Sequence, residues 1–294
     1  MDAKLAWNVL KQTLREFHED DAFTLSASLA YYAAFSLAPL LLISIAVAGT
    51  VFGEDAVRGQ LDDEMRASLG ASGALAVQDM VAHAYKTDGN IWASIAGIAM
   101  LLIGAGGFYG QLQMALDRVW GVKPKSGSGI LAELKSRFVS FTMVLGTGFL
   151  LLTSMILSAV LAALGKYADT ILQLPAALWN TINGIASFAV IALLFAAIFK
   201  VLPDVRVKWH HVRFAAIFTA LLFTLGKMLI GWYLGREATN SSYGTAGSLA
   251  LVLIWLYYSS IILLFGAEFT QVWAERHGEK IQPTEDAEFP GEPG

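Results

Sequence analysis

The sequence predicts an all-α polytopic membrane protein, and three observations carry that prediction. Six apolar stretches, at 28–52, 91–111, 138–164, 178–202, 212–234 and 246–272, each reach the roughly 20 residues a helix needs to cross a hydrocarbon core about 30 Å thick. Charged residues are 15% of the 294, against about 25% in a soluble domain, and the mean hydropathy is +0.56. The Lys and Arg residues collect in alternate connections, as membrane topology requires. Lys4, Lys11 and Arg15 precede the first stretch, and Arg118, Lys123, Lys125, Lys135 and Arg137 follow the second. Lys200, Arg206, Lys208 and Arg213 follow the fourth, and Arg276 and Lys280 follow the last. The opposite side holds Arg58, Arg66, Lys86, Lys166 and Arg236, so both termini are expected in the cytoplasm. The first 27 residues are polar and amphipathic, without a cleavage pattern behind a short apolar core, so the first span is expected to act as an uncleaved anchor.

Before the first span, Leu10, Leu14 and Phe17 recur at i, i+4 and i+7 with Trp7 nearby. That spacing predicts an N-terminal amphipathic helix over 4–20, lying in the membrane interface or packed on the cytoplasmic loops. The first external connection, 53–90, is long and acidic. Val57, Leu61 and Leu69 fall at helical spacing, Gly70 suits a helix C-cap, and Ser72 can start a second helix running to about Tyr85. A helical hairpin capping the outer face follows, its carboxylates solvated. Between the second and third spans, Lys123-Pro124-Lys125-Ser126-Gly127-Ser128-Gly129 reads as a flexible basic loop. The tail 278–294, with Pro283, Pro290 and Pro293 among acidic residues, is expected to be disordered and cytoplasmic. Residues 1–277 then form a single transmembrane domain. In the second span Gly97, Gly104, Gly106, Gly107 and Gly110 include a Gly-x-x-x-Gly step, which lets helix backbones approach and places that span inside the bundle.

Intramembrane polar groups are the sharpest functional signal, because each is costly unless paired or wetted. Lys227 lies in the fifth span, in the outer half of the membrane, where it can receive an anionic group, bond a neighbouring helix or snorkel to the interface. Glu268 lies near the cytoplasmic end of the sixth span, about 15 Å of membrane height from Lys227 at 1.5 Å per residue. That argues against a direct bridge, and Lys200, Arg206 or another cytoplasmic-edge group is the expected partner of this structural or gating charge. In the first span, Tyr31, Tyr32 and Ser36 precede Pro39, which cannot donate to the carbonyl of Phe35 and so leaves an acceptor inside the membrane. Tyr257 and Tyr258 add polar groups at a similar depth in the sixth span. Broken helices near the midplane often line transport sites.

Several chemistries are not encoded. With no cysteine, disulfides and thiolate metal sites are excluded. His18-Glu19 is followed by Asp20-Asp21-Ala22, so the zinc-protease pattern is missing, and the Gly-Lys pairs at 165–166 and 226–227 lack the upstream glycine of a phosphate loop. The five histidines are scattered. No metal, cofactor or nucleic-acid partner is expected; the net charge of −4 is small and says little about partners.

These residues also carry a likeness. Ala30-Tyr31-Tyr32 with Ser36-Leu37-Ala38-Pro39, the Val201-to-Trp209 turn, and Tyr243-Gly244-Thr245-Ala246-Gly247 leading to Trp255-Leu256-Tyr257 and Gly266-Ala267-Glu268 together resemble the YihY/BrkB family over about residues 5–277. Lys227 ahead of Tyr233 fits the same pattern. At His211-Val212-Arg213-Phe214 the sequence departs from the family's usual Gly-Ala start to the fifth span. The resemblance implies a bacterial inner-membrane protein with six spans. The family's older "ribonuclease BN" label would require clustered His and Asp ligands for metal-assisted hydrolysis, which this sequence lacks, so no enzyme is expected. The expected function is transporter-like or lipid- and anion-handling, with Lys227 receiving an anionic group and Ser36, Pro39, Tyr31, Tyr32, Tyr257 and Tyr258 lining the path. The alternative is a non-transporting scaffold for envelope assembly. Membrane lipids are expected partners in either case.

Overall fold

The computed structural model describes residues 3–85, 107–125, 176–237, 244–278, 281–285 and 287–290. The third predicted span, most of the second, and Ser126 to Gly129 of the basic loop lie outside these residues. Seven helices are described: α1 (Ala3–Glu19), α2 (Ala22–Phe52), α3 (Glu54–Tyr85), α4 (helical over 107–119), α5 (Ala176–Val201), α6 (Trp209–Glu237) and α7 (Gly244–Arg276). Two short strands, β1 (Lys123–Pro124) and β2 (Ala287–Glu288), pair antiparallel.

Among the described residues, Gly184–Val201, Trp209–Ile230 and Leu249–Arg276 are long and apolar enough to cross a membrane, and Ala22–Ala38 is a shorter apolar helix stretch. These lie on the first, fourth, fifth and sixth predicted spans. The fifth begins at Trp209 rather than at 212, because the polar His210 and His211 continue the helix that Trp209 starts. Its first turn gains backbone bonds from the His211 and Val212 amides to the Lys208 carbonyl. Helix α2 runs unbroken through Pro39.

Helix α1 meets α2 at a sharp joint. Asp21 takes the left-handed conformation (φ 55°), which Asp tolerates better than most residues because its short side chain can bond locally. The joint folds α1 against the end of α7. Val9 packs with Val272, Trp273 and Phe269, Phe17 meets Phe265 at 5.8 Å, and Arg276 Nε donates to Gln12 Oε1 at 2.8 Å. The packed face of α1 is therefore Val9, Thr13 and Phe17, while Trp7 and Leu14 are exposed. Nearby, one apolar core gathers Leu29 of α2, Leu112, Leu116 and Trp120 around α4, Phe195 and Phe199 of α5, Val212 and Ala216 of α6, and Leu264 of α7.

The connection after α2 departs from the expected cap over the bundle end. Helix α3 is two helical limbs broken at Gly70, whose φ of 71° belongs to the region that favours glycine. Gln78 Nε2 donates to Asp62 Oδ1 across the limbs, so they fold back on each other. The pair lies along α2 instead of over its end. Val57 and Val81 cluster with Ile45, and Leu69 and Val77 cluster with Ala30, Val252 and Leu256. The first limb thus descends antiparallel to α2 and the second returns beside it. The turn reaches the level of Ala30 on α2 and Leu256 on α7, inside stretches apolar enough for lipid. Helical spacing alone is the same for a hairpin laid across the bundle and one laid along it.

The tail also departs from expectation. The Arg206 amide donates to the Gln282 carbonyl and the Thr284 amide to that of Asp204, both at 2.9 Å. Val205 bridges Pro283, and Ala287 is buried opposite Pro124. Residues 281–285 and 287–290 are therefore docked. Backbone bonds to the 202–208 turn and β1 do this work, and such bonds do not depend on the acidic composition that predicted disorder.

Candidate functional site

Helices α6 and α7 interlock through two notches, and the first of these creates the site. Gly226 of α6 has no side chain where Tyr258 of α7 inserts: a Cβ there would stand 1.5 Å from the Tyr258 hydroxyl. That hydroxyl points at the Leu222 carbonyl, 3.5 Å away. Lys227 follows Gly226 directly. Tyr257 packs against the cluster built from the α3 turn (Leu69, Val77), α2 (Ala30) and α7 (Val252, Leu256), and Ala33, Ala34 and Leu37 of α2 pack there too. Tyr257 thus lies at the level of the α3 turn, and Tyr258, next to it on α7, sits in the α6 notch at Gly226, the residue before Lys227.

The other candidates divide. Ser36 is fully buried, and its hydroxyl donates to the Ala33 carbonyl of its own helix at 3.1 Å. Pro39 lies within the continuous α2. Tyr31 is 60% exposed, with its ring 4.8 Å from that of the exposed Phe35. Tyr32 turns toward Gly107 on α4. These two tyrosines therefore leave the face of α2 that meets the α3 turn.

Along that face a cavity of about 270 Å³ opens between α2 and α3. Leu41, Ile45, Leu61, Met65 and Val81 make it apolar, and Arg58 and Gln78 give it a polar edge. Charges on α3 are tied to one another: Arg58 reaches Glu54 at 2.6 Å, and Arg66 reaches Asp62 at 2.8 Å. The spacing of Val57, Leu61 and Leu69 revealed the helix but not the cavity, because the direction in which the hairpin folds is a tertiary fact.

A second, open cavity of about 590 Å³ lies where α5, the 202–208 turn, α6 and the tail meet. Lys200, Arg206, Lys208 and Trp209 line it together with Gln282 and Gly278. Its basic residues were visible in the sequence as a topology signal. Their convergence depends on the docked tail.

Beside this cavity, Asp117 of α4 is buried and accepts the Asp204 amide at 2.7 Å, while Gln113 donates to the Asp204 carboxylate at 3.1 Å. Burial pushes the Asp117 carboxyl up to about 7; the Asp204 amide bond opposes this and the Asp204 charge adds to it. Among the described residues, no group of three or more His, Asp or Glu side chains is placed to hold a metal ion.

Glu268 is fully buried and does not meet Lys200 or Arg206. Lys200 donates to the Val207 carbonyl, and Arg206 reaches Glu285. Glu268 instead faces Asp20 at the α1–α2 joint, in side-chain hydrogen-bonding contact. Like-charged groups come together because the joint turns α1 under α7, a placement no charge-pairing rule anticipates. Ten residues separate Glu268 from Tyr258, about 15 Å along α7, so it and the Lys227 region are distinct places.

The model of the family described as Virulence factor BrkB matches residues 13–289. The chain belongs to the BrkB family. A UPF0761 membrane protein of Verminephrobacter eiseniae is 28% identical over 276 residues, covering 91% of this chain and 63% of its own. A second, from Methylibium petroleiphilum, is 27% identical over 89% of this chain and 61% of its own. The chain therefore spans about three fifths of the length of these relatives. YfkH of Bacillus subtilis, whose name calls it ribonuclease-like, is 24% identical over 94% of this chain and 98% of its own. No solved structure matches. With its apolar helices, this BrkB-family chain is a membrane protein.

Proposed function

We propose that this BrkB-family protein handles an anionic amphiphile, such as a lipid with a phosphate or carboxylate headgroup, within the bacterial inner membrane, its α1 end facing the cytoplasm. The observation that carries this reading is the folding of α3 into the bundle. A hairpin bearing Asp62, Arg66 and Gln78 packs its turn against helix stretches apolar enough for lipid. Polar segments at membrane depth are tolerated where they line a wetted cavity. The 270 Å³ space beside Arg58 and Gln78 has an apolar wall and a polar edge, the surfaces an acyl chain and its headgroup need. Lys227 beside Tyr258 supplies a cation on the far side of the hairpin turn. Ser36 and Pro39 lie on the stretch of α2 that flanks the turn, and Tyr257 packs on it. The basic cavity at Lys200, Arg206 and Lys208 offers the same chemistry at the cytoplasmic mouth, and the concentration of Lys and Arg there supports the orientation.

Native mass spectrometry of the purified protein beside its Lys227→Met and Arg58→Gln variants tests this. A lipid or small-anion adduct retained by the wild type and lost from either variant supports the reading. Identical adducts in all three, or none, would sink it and favour a scaffold that works through its exposed loops.

A further inference from the structure

Glu268 presents a problem of simple electrostatics, separate from the proposed amphiphile site. Its side chain is fully buried at the α1 end of α7. Gln271, one turn on, can donate to Glu268 Oε2 at 3.3 Å and to the Val119 carbonyl at 2.9 Å once its amide is turned so that the nitrogen faces these acceptors. Oε1 is buried and has no hydrogen-bond partner among the described residues. The Glu268 carboxyl is in side-chain hydrogen-bonding contact with the carboxyl of Asp20. Two carboxylates cannot bond each other, since both only accept; with a proton between them they do.

The surrounding elements offer little to replace that proton. From α1, Glu16 faces the pair, with Gln12 donating to it at 2.8 Å. On α7 itself, Glu275 adds a further negative charge. Helix α4 contributes the Val119 carbonyl and Arg118, but Arg118 reaches toward Asp20 and lies 3.6 Å from Asp21. Phe199 of α5 and Thr219 of α6 pack at neighbouring Gly266, and Phe218 stacks on Phe269. Burial raises the Asp20 carboxyl above its ordinary range; the bond to Glu268 and the charge of Arg118 draw it partly back, and Glu16 and Glu19 push it up.

We infer that Glu268 and Asp20 together form a proton-binding site that fastens the α1–α2 joint to α7. Bound, the proton converts the contact into a hydrogen bond. Its loss leaves two negative charges in contact in a poorly solvated place, and the joint, already held by Asp21 in its left-handed conformation, is pushed off α7. The folded state thus binds a proton that the unfolded chain gives up more easily. Stability is full at low pH and falls as pH rises through the titration of the pair.

The test uses the full chain in lipid nanodiscs, with infrared spectra in H2O and D2O and thermal unfolding recorded against pH. The wild type is expected to show the C=O band of a protonated carboxyl that titrates away as pH rises, with stability falling over the same interval. Glu268→Gln is expected to lose that band and the part of the fall that accompanies it, keeping only what Asp117 contributes; the difference between wild type and variant, in spectra and in stability, isolates the pair. Asp20→Asn removes the like charge and supplies an amide donor, so the step should move down by about one pH unit or more. That variant is an independent measure should Glu268→Gln fold poorly. A band unchanged in Glu268→Gln, no shift in Asp20→Asn, or a step that moves with sodium concentration at fixed pH would each overturn the inference, the last by making the site one for a metal cation.

Discussion

Helices α6 and α7 carry the Lys227 and Tyr258 of the proposed site, and a second glycine notch tests whether their close approach sets the stability of the bundle. A Cβ added at Gly266 would stand 2.0 Å from Thr219 Oγ1, 2.8 Å from its Cγ2 and 2.9 Å from Phe199 Cζ, where ordinary contact begins at 3.4 Å. Thr219 is fully buried, with its hydroxyl bonded to the Ala215 carbonyl at 2.7 Å, so it cannot swing aside freely. Gly266→Ala must therefore separate the helices or force Thr219 from its rotamer. Overpacking of this kind costs about 1–3 kcal/mol, and 2 kcal/mol is roughly a 30-fold loss in the folded-to-unfolded ratio. Thr219→Ala alone should cost about 1 kcal/mol, for one hydrogen bond and a methyl. In the double variant the worst clash is gone and Phe199 remains close, so the rescue should be large but incomplete. A coupling energy of about 1 kcal/mol or more is expected. The assay is unfolding by SDS titration in mixed micelles, followed through the fluorescence of the eight tryptophans. Gly266→Ala as stable as wild type, or penalties that simply add, would refute the packing described here.

Two further outcomes are expected. With no native cysteine, Asp62→Cys combined with Gln78→Cys should be joined by a short bifunctional thiol reagent, because these side chains meet across the α3 limbs; failure to join them in the folded protein would mean that α3 does not fold back. Asp117→Asn should remove a pH dependence of stability near the docked tail. The folded-state value of about 7 lies above the ordinary 3.8, so Asp117 contributes stability that is lost as pH rises from the one value to the other, and thermal unfolding over that interval should fall less steeply in the variant, the Glu268–Asp20 contribution remaining.

What the sequence made legible follows from how many solutions each segment has. A long apolar run has one solution in lipid, a spanning helix, so the stretches 178–202, 212–234 and 246–272 lie within a few residues of α5, α6 and α7. Gly70 was legible for a related reason: it interrupts a helical pattern where a turn demands a positive φ. The direction of the hairpin was not, because Leu69 is equally apolar whether it meets Ala30 or an outer surface. The Lys227–Tyr258 neighbourhood was half legible. Both residues were singled out for depth, and the notch at Gly226 that joins them depends on the rotation of two helices. Tyr31 and Tyr32 show the converse, since polar tips in an apolar run mark depth without marking the face.

Polar groups among these helices find three kinds of partner. The hydroxyls of Ser36, Thr219, Thr224, Ser259, Ser260 and Thr270 each return to a carbonyl of their own helix, which satisfies them without constraining a neighbour. Both arginines of α3 pair with carboxylates one turn away on the first limb, and Gln78 bonds Asp62 across the limbs, so part of the hairpin's polarity is met within the hairpin. Glu268 follows neither course. A hydroxyl can turn to its own backbone and an arginine can fold back to a carboxylate four residues away, but a buried carboxylate needs a donor brought to it. Beyond the Gln271 amide of its own helix, the fold brings it a second carboxyl. A sequence that needed only a tight joint between α1 and α7 could meet that need with an amide or a hydroxyl at lower electrostatic cost. Keeping two acids in contact makes sense where the strength of the contact is meant to depend on a proton.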